Sequence, residues 1–234
     1  MKNDPYIQEN GTLINNLGIT DYDELNLAEK DITFSKLLNV DKTFCNKFDI
    51  NYLKSIHKHI FEDIFDWAGT FRDVQIYKEE IVIPGLSIDY SDSKNIEKEL
   101  LICLDKFNST DWSSLSLDQK TSIFTKYLSE LWKIHPFRDG NTRTTLTFAS
   151  QFSKEHGFPL DLGFLLDNLT RKYDEDNEIV QFSIRDKFVL ASIPKEHYPE
   201  PEHLELLIHK SIVSGISKSI KSLQDSLNSE EIER

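Results

Sequence analysis

The sequence predicts an all-α protein, and three observations predict it. Glycine and proline are scarce, 8 and 7 among 234 residues. Apolar side chains recur every three or four positions over stretches long enough for several helical turns. Only one segment changes to a period of two, and it is short.

Taken in order, "DYDELNLAEKDITFSKLLNV" places Leu25, Leu27, Ile32 and Leu37 at helical intervals, which suggests a helix or two broken near Asp41. In "DINYLKSIHKHIFEDIFDWAG", Leu53, Ile56, Ile60, Ile64 and Trp67 keep the same spacing, and Gly69 sits where a C-terminal cap would stand. The period then changes. Val74 and Ile76, followed by Ile81 and Ile83, alternate with polar neighbours around "YKEE" and read as a hairpin ended by Pro84-Gly85, the only convincing β segment. Helical spacing resumes in "DSKNIEKELLICLDKFN". Ser116 and Gln119 then form a capping box for "SLDQKTSIFTKYLSELWKI", whose apolar face is Ile123, Phe124, Tyr127, Leu128, Leu131 and Trp132. Leu146, Ala149 and Phe152 continue the pattern until Gly157 and Pro159, and two more helices are expected around "IRDKFVLASI" and after Pro199 and Pro201.

Composition narrows the function classes. With 40 acidic and 27 basic residues, the net charge is -13, which disfavours broad electrostatic binding to nucleic acid or to an anionic membrane. No stretch approaches the roughly 18 apolar residues of a membrane span. Cys45 and Cys103 are the only cysteines. They make neither a disulfide framework nor a cysteine metal site, so a reducing cytoplasm fits.

The chemistry concentrates in "IHPFRDGNTRTT", residues 134 to 145, at the junction of two expected core helices. Gly140, Asn141 and Thr142 would present successive backbone N–H groups at a helix start, where the dipole also favours phosphate oxygens. Arg143 could fork onto phosphate. Asp139 could hold Mg²⁺, which prefers oxygen ligands and keeps several waters. His135 has a pKa suited to taking a proton from a hydroxyl near neutral pH. Together they describe hydroxyl attack on a metal-bound nucleoside triphosphate. Each part alone has an ordinary structural reading: a histidine before proline, a Gly-Asn turn, a capping aspartate. Phe137 is read as a core anchor for the loop, and Trp67, Trp112 and Trp132 as core residues. The ordered combination carries the argument.

"HPFRDGNTR" resembles the signature of the Fic family, written roughly H-P-F-x-[D/E]-G-N-G-R-x-x-R. "NGTLINNLGI", "LKSIHKHIFEDIFDWAGTFRD" and the hairpin after it are similar to the corresponding Fic segments, so the resemblance covers about residues 5 to 200. It implies a Fic fold, a helical bundle with a short β-hairpin flap beside the active site. An N-terminal helical segment over 1–50 would pack on a core over 51–200. That core would carry the flap at about 74–83 and the active-site loop at 135–143, and a C-terminal helix would follow over 201–234.

Most Fic enzymes transfer AMP from ATP to a Ser, Thr or Tyr hydroxyl of a protein. Carried onto this chain, the resemblance makes His135 the base and Asp139 the Mg²⁺ ligand. Arg138, Gly140, Asn141, Thr142 and Arg143 would bind nucleotide, with Asn141 touching phosphate. Gln75, Ile76, Tyr77 and Lys78 would be the flap residues that pair with an extended loop of the target. Autoadenylylation of an exposed hydroxyl would accompany activity.

Two departures stand out. Thr142 replaces the third-position glycine, and Leu146 replaces the second arginine, which in typical members holds the γ-phosphate and pairs with an inhibitory glutamate. The family's inhibitory motif, [S/T]-x-x-x-E-[G/N], has no strict match; Thr20–Glu24 and Ser226–Glu230 are relaxed ones. An inhibitor protein in trans, control by homo-oligomerisation, or no such control remain open. The alternatives to AMP transfer are a phosphoryl or other nucleotidyl transfer at the same site, and a degenerate Fic domain kept for protein binding. Action is expected in the cytoplasm, the protein's own or that of another cell receiving it as an effector.

Overall fold

The structure, a computed structural model, describes residues 4–37, 39–40 and 47–232. Among them are eight α-helices: α1 (Tyr22–Leu37), α2 (Ile50–Phe61), α3 (Ile96–Ser109), α4 (Leu117–Ile134), α5 (Asn141–Glu155), α6 (Leu162–Leu166), α7 (Ile184–Ser192) and α8 (Glu202–Ile232). The all-α class is therefore observed. The break expected near Asp41 and the residue Cys45 lie outside the described residues.

The chain gathers into two compact units. The first contains residues 1–78, 89–108 and 131–148, and the second 79–88, 109–130 and 149–234. In the first, α1 packs on α2. Leu25, Glu29, Thr33 and Leu37, four apart, form the buried stripe of α1, whereas Leu27 is exposed. The α2 helix starts at Asp49, whose side chain accepts the Tyr52 N–H. Rings of Phe48, Tyr52, Phe107 and Phe148 meet edge to face, a geometry that adds to simple burial. In the second unit, Trp112, Phe124, Phe152 and Phe158 form a similar cluster. There α6 and α7 pack on α8. Ser183 and Asp186 close a capping box at the start of α7.

Several expectations need correction. The α2 helix ends at Phe61, not near Gly69; Glu62 is its cap and donates to the Lys58 carbonyl. Ile64 and Trp67 keep helical spacing because residues 61 to 70 follow in linked turns, so the side-chain period outlasts the helix. The capping box of Ser116 and Gln119 is present at α4.

The flap segment occupies the expected place between α2 and α3. Its backbone is irregular through Glu80 and turns at residues 81 to 85, without ladder pairing. The two-stranded sheet lies elsewhere, with β1 (Lys172–Tyr173) antiparallel to β2 (Ile179–Gln181). Both strands are too short and too exposed for alternation to reveal them.

Candidate active site

The loop from His135 to Gly140 joins α4 to α5. His135 leaves the helical conformation with φ of +51°, uncommon for a residue with a side chain. It is 2% exposed, and its ring lies 4.2 Å from the Tyr90 ring and 5.2 Å from that of Trp132. Nδ1 stands 3.2 Å from the Trp132 carbonyl. A carbonyl can only accept, so Nδ1 carries the hydrogen of this contact, and in the neutral imidazole the lone pair falls on Nε2.

Phe137 is fully buried and stacks on His57 at 3.8 Å, which bears out its reading as the loop's anchor. Asn141 closes the loop with two bonds: Oδ1 accepts the Phe137 N–H at 2.9 Å and Nδ2 donates to the Phe137 carbonyl at 2.8 Å. Its side-chain amide is therefore occupied by the loop itself. What Asn141 offers a ligand is its main-chain N–H, in the first turn of α5, where helix amides have no intrahelical acceptor.

Gly140 has φ of +75°, and a Cβ there would lie 2.3 Å from the Phe61 ring. The position requires glycine on both counts. Thr142 holds the next turn, since its Oγ1 accepts the Trp132 indole N–H at 3.0 Å. That bond gives the departure from glycine a structural role.

The charged groups are paired. Asp139 Oδ1 accepts the Gly140 N–H at 2.7 Å and lies 3.7 Å from Lys78 Nζ. Burial alone would raise the Asp139 pKa. Lys78, Arg143 and the Gly140 N–H outweigh it and hold the carboxyl well below the usual range, so it is ionised. Arg143 donates to Glu29 and to Thr33 Oγ1 of α1, and its guanidinium lies 4.7 Å from the Phe61 ring centroid. Burial pushes the Glu29 pKa up although Arg143 opposes it. Arg138, expected among the nucleotide ligands, is ion-paired to Asp4 through Nε and Nη2 at 2.9 and 2.8 Å.

Of the flap residues, Gln75 donates to the Tyr90 carbonyl at 3.2 Å and Ile76 is buried. Tyr77 is 73% exposed, and Lys78 turns back to Asp139. This is the alternation of an extended chain, with Ile76 in and Tyr77 out. Farther on, buried Glu80 takes a bidentate bond from Arg185 at 2.6 Å. Leu146 is fully buried.

Sequence reasoning missed Glu29, Thr33, His57, Arg72 and Tyr90. His57 accepts the Gly69 N–H on Nδ1 at 2.9 Å and donates from Nε2 to the Asp139 carbonyl at 3.1 Å. Burial lowers its pKa to about 3, so it is neutral. Its sequence signal was its place on the apolar stripe of α2, one residue after Ile56.

A family model for the Fic/DOC family matches residues 47–153. The chain is 31% identical over 161 residues to the protein adenylyltransferase VbhT of Bartonella schoenbuchensis, a match that spans 68% of this chain and 32% of that protein. It is 26% identical over 159 residues to the probable protein adenylyltransferase Fic of Escherichia coli, spanning 67% and 76% of the two chains. The chain thus spans about a third of the first relative's length. Among solved structures, the ADP-bound N-terminal Fic domain of a putative cell filamentation protein from Bartonella quintana superposes with a TM-score of 0.69 at 23% identity. That match covers 88% of this chain and 93% of the other. Residues 47–153 of the chain are a Fic/DOC family domain.

Proposed function

We propose that this protein is an adenylyltransferase that moves AMP from ATP to a Ser, Thr or Tyr hydroxyl of a protein target. The observation that carries the reading is the His135 imidazole, fixed as the Nδ1–H tautomer by the Trp132 carbonyl beside the N-terminus of α5. Two named relatives with this activity support it.

In this reading Nε2 of His135 takes the proton from the target hydroxyl as its oxygen bonds to the α-phosphorus. The bond from that phosphorus to the bridging oxygen breaks, and pyrophosphate leaves. The main-chain amides of Asn141, Thr142 and Arg143 receive phosphate oxygens, and Arg143 turns from Glu29 toward the same anion. Asp139 is ionised and its side chain is 38% exposed, which fits the single carboxylate that Mg²⁺ needs when phosphates and waters complete its shell. The ion, when bound, neutralises charge on the triphosphate. Gln75 to Lys78 offer an unladdered backbone edge to an extended target segment, and an exposed hydroxyl of the chain itself can serve in its absence. The Bartonella quintana neighbour is named as a translocated effector; delivery to another cell is the corresponding reading here, and a cytoplasm supplies ATP in either case.

Two observations favour the alternative of a protein-binding domain without catalysis: Arg143 is engaged by Glu29, and Leu146 is buried. Purified protein with Mg²⁺ and ATP labelled on the α- or the γ-phosphate separates the readings. Label retained from the α position, and lost in His135→Ala with ATP binding kept, is the expected result. Retention from the γ position alone assigns a kinase. No label, with ATP binding intact and a target present, assigns the binding domain.

A further inference from the structure

Arg72 is the only Lys or Arg among the described residues that is buried throughout, at 2% exposure. A guanidinium out of water ordinarily demands a carboxylate. Here every side-chain hydrogen bond goes to a main-chain carbonyl instead. Nε donates to His135 at 2.8 Å, Nη1 to Val74 at 2.7 Å, and Nη2 to Ser91 at 2.5 Å and Ile134 at 3.5 Å. The Arg72 main-chain N–H adds a bond to the Pro136 carbonyl at 2.9 Å.

These acceptors fall into two groups. Ile134 is the last residue of α4, and His135 and Pro136 open the active-site loop directly after it. Val74 and Ser91 are where the chain departs into the flap and returns from it. One planar fork therefore joins the loop to both feet of the flap. The His135 peptide is also the strained one, at φ +51°, and such a conformation persists only where its surroundings fix it. The bond from Arg72 Nε to the His135 carbonyl, together with the His135 N–H on the Trp132 carbonyl at 3.1 Å, supplies that constraint on both sides of the residue.

We propose that Arg72 is a positioning residue that holds the His135 backbone and the two feet of the flap at one fixed separation, so that a hydroxyl presented by the flap meets the imidazole. The proposal rests on the reading of His135 as base. It assigns to Arg72 what neither the signature residues nor the flap can do alone, which is to set the distance between them. Lysine keeps the charge but not the rigid fork, and cannot bond to all four carbonyls at once.

The test is Arg72→Lys, with Arg72→Ala as a second variant, read in three ways. ATP affinity is measured by calorimetry, kcat and KM for a protein target by label transfer, and the His135 tautomer by ¹⁵N resonances of histidine-labelled protein. Misplacement of a reacting group by about 1 Å costs about 100-fold, so R72K should lose about that factor in kcat while ATP affinity stays within about threefold. Its His135 resonances should show mixed tautomers. Millimolar methylguanidinium should restore part of the kcat of R72A.

A kcat close to wild type in R72K, or an unchanged tautomer, overturns the proposal. So does a loss of ATP affinity that parallels the loss of kcat, which marks general loosening. If both variants fail to fold, Arg72 serves stability alone and the proposal falls. Should the wild-type protein transfer nothing, the adenylyltransferase reading fails, while the tautomer measurement still decides the role of Arg72.

Discussion

Lys78 and Asp139 form an ion pair, Nζ to Oδ1 at 3.7 Å, that joins the flap to the residue before the glycine of the active-site loop. The lysine ammonium stands at the carboxylate proposed above as the ligand of a divalent cation. Both side chains are partly exposed, at 23% and 38%, so the pair is worth at most about 1 kcal/mol.

Replacing Lys78 with Met should therefore ease entry of the metal. Titration of Mn²⁺ or Mg²⁺ into the protein with a non-hydrolysable ATP analogue should show metal affinity raised by about two- to fivefold, the equivalent of that pair. Unchanged affinity would mean that Lys78 leaves Asp139 before the ion arrives.

Stability should fall with acid through His57. Its folded pKa is lowered to about 3 by burial, against an unfolded value of about 6.5. Between those values the unfolded chain binds a proton that the folded chain refuses. The contribution is complete above the unfolded pKa and is lost as pH falls toward the folded one, at up to about 1.4 kcal/mol per pH unit. Denaturant melts from pH 7 to 4 should show this slope, and His57→Gln, which can still accept from Gly69 and donate to Asp139, should flatten it.

Gly140→Ala should be severe. The added methyl meets the Phe61 ring at 2.3 Å and the residue keeps a left-handed φ of +75°. Phe61→Leu in the same chain removes the clashing ring atoms but not the backbone strain of about 1–2 kcal/mol. The double variant should regain stability over Gly140→Ala while staying below Phe61→Leu by that amount, as thermal melts would show.

The Trp132 indole and Thr142 hydroxyl should be coupled. A double-mutant cycle of Trp132→Phe and Thr142→Val should give an interaction energy of about 1 kcal/mol for their 3.0 Å bond. Additive effects would remove the structural role assigned to Thr142.

How much of this was legible follows from the kind of signal each residue gave. The helices announced themselves because α2, α4 and α5 bury one apolar face, and the capping box at Ser116 marked where α4 begins. The loop from His135 to Arg143 was visible as an ordered run of reactive types. Its charge partners were not. Glu29 and Thr33 reach Arg143 across more than 100 residues of chain, and Asp4 reaches Arg138 across 134. No local period encodes such a pairing. Asn141 shows the reverse case, since its place in the motif was evident while the two bonds that occupy its amide depend on the fold. The strands at Lys172 and Ile179 were hidden by brevity.

Leu146 limits how the site can be rebuilt. Its side chain is fully enclosed, where an arginine would be an unpaired cation costing several kcal/mol, a large part of a domain's whole stability. Leu146→Arg made alone would therefore put the fold at risk. A firmer grip on the far end of a nucleotide would have to be built at another residue.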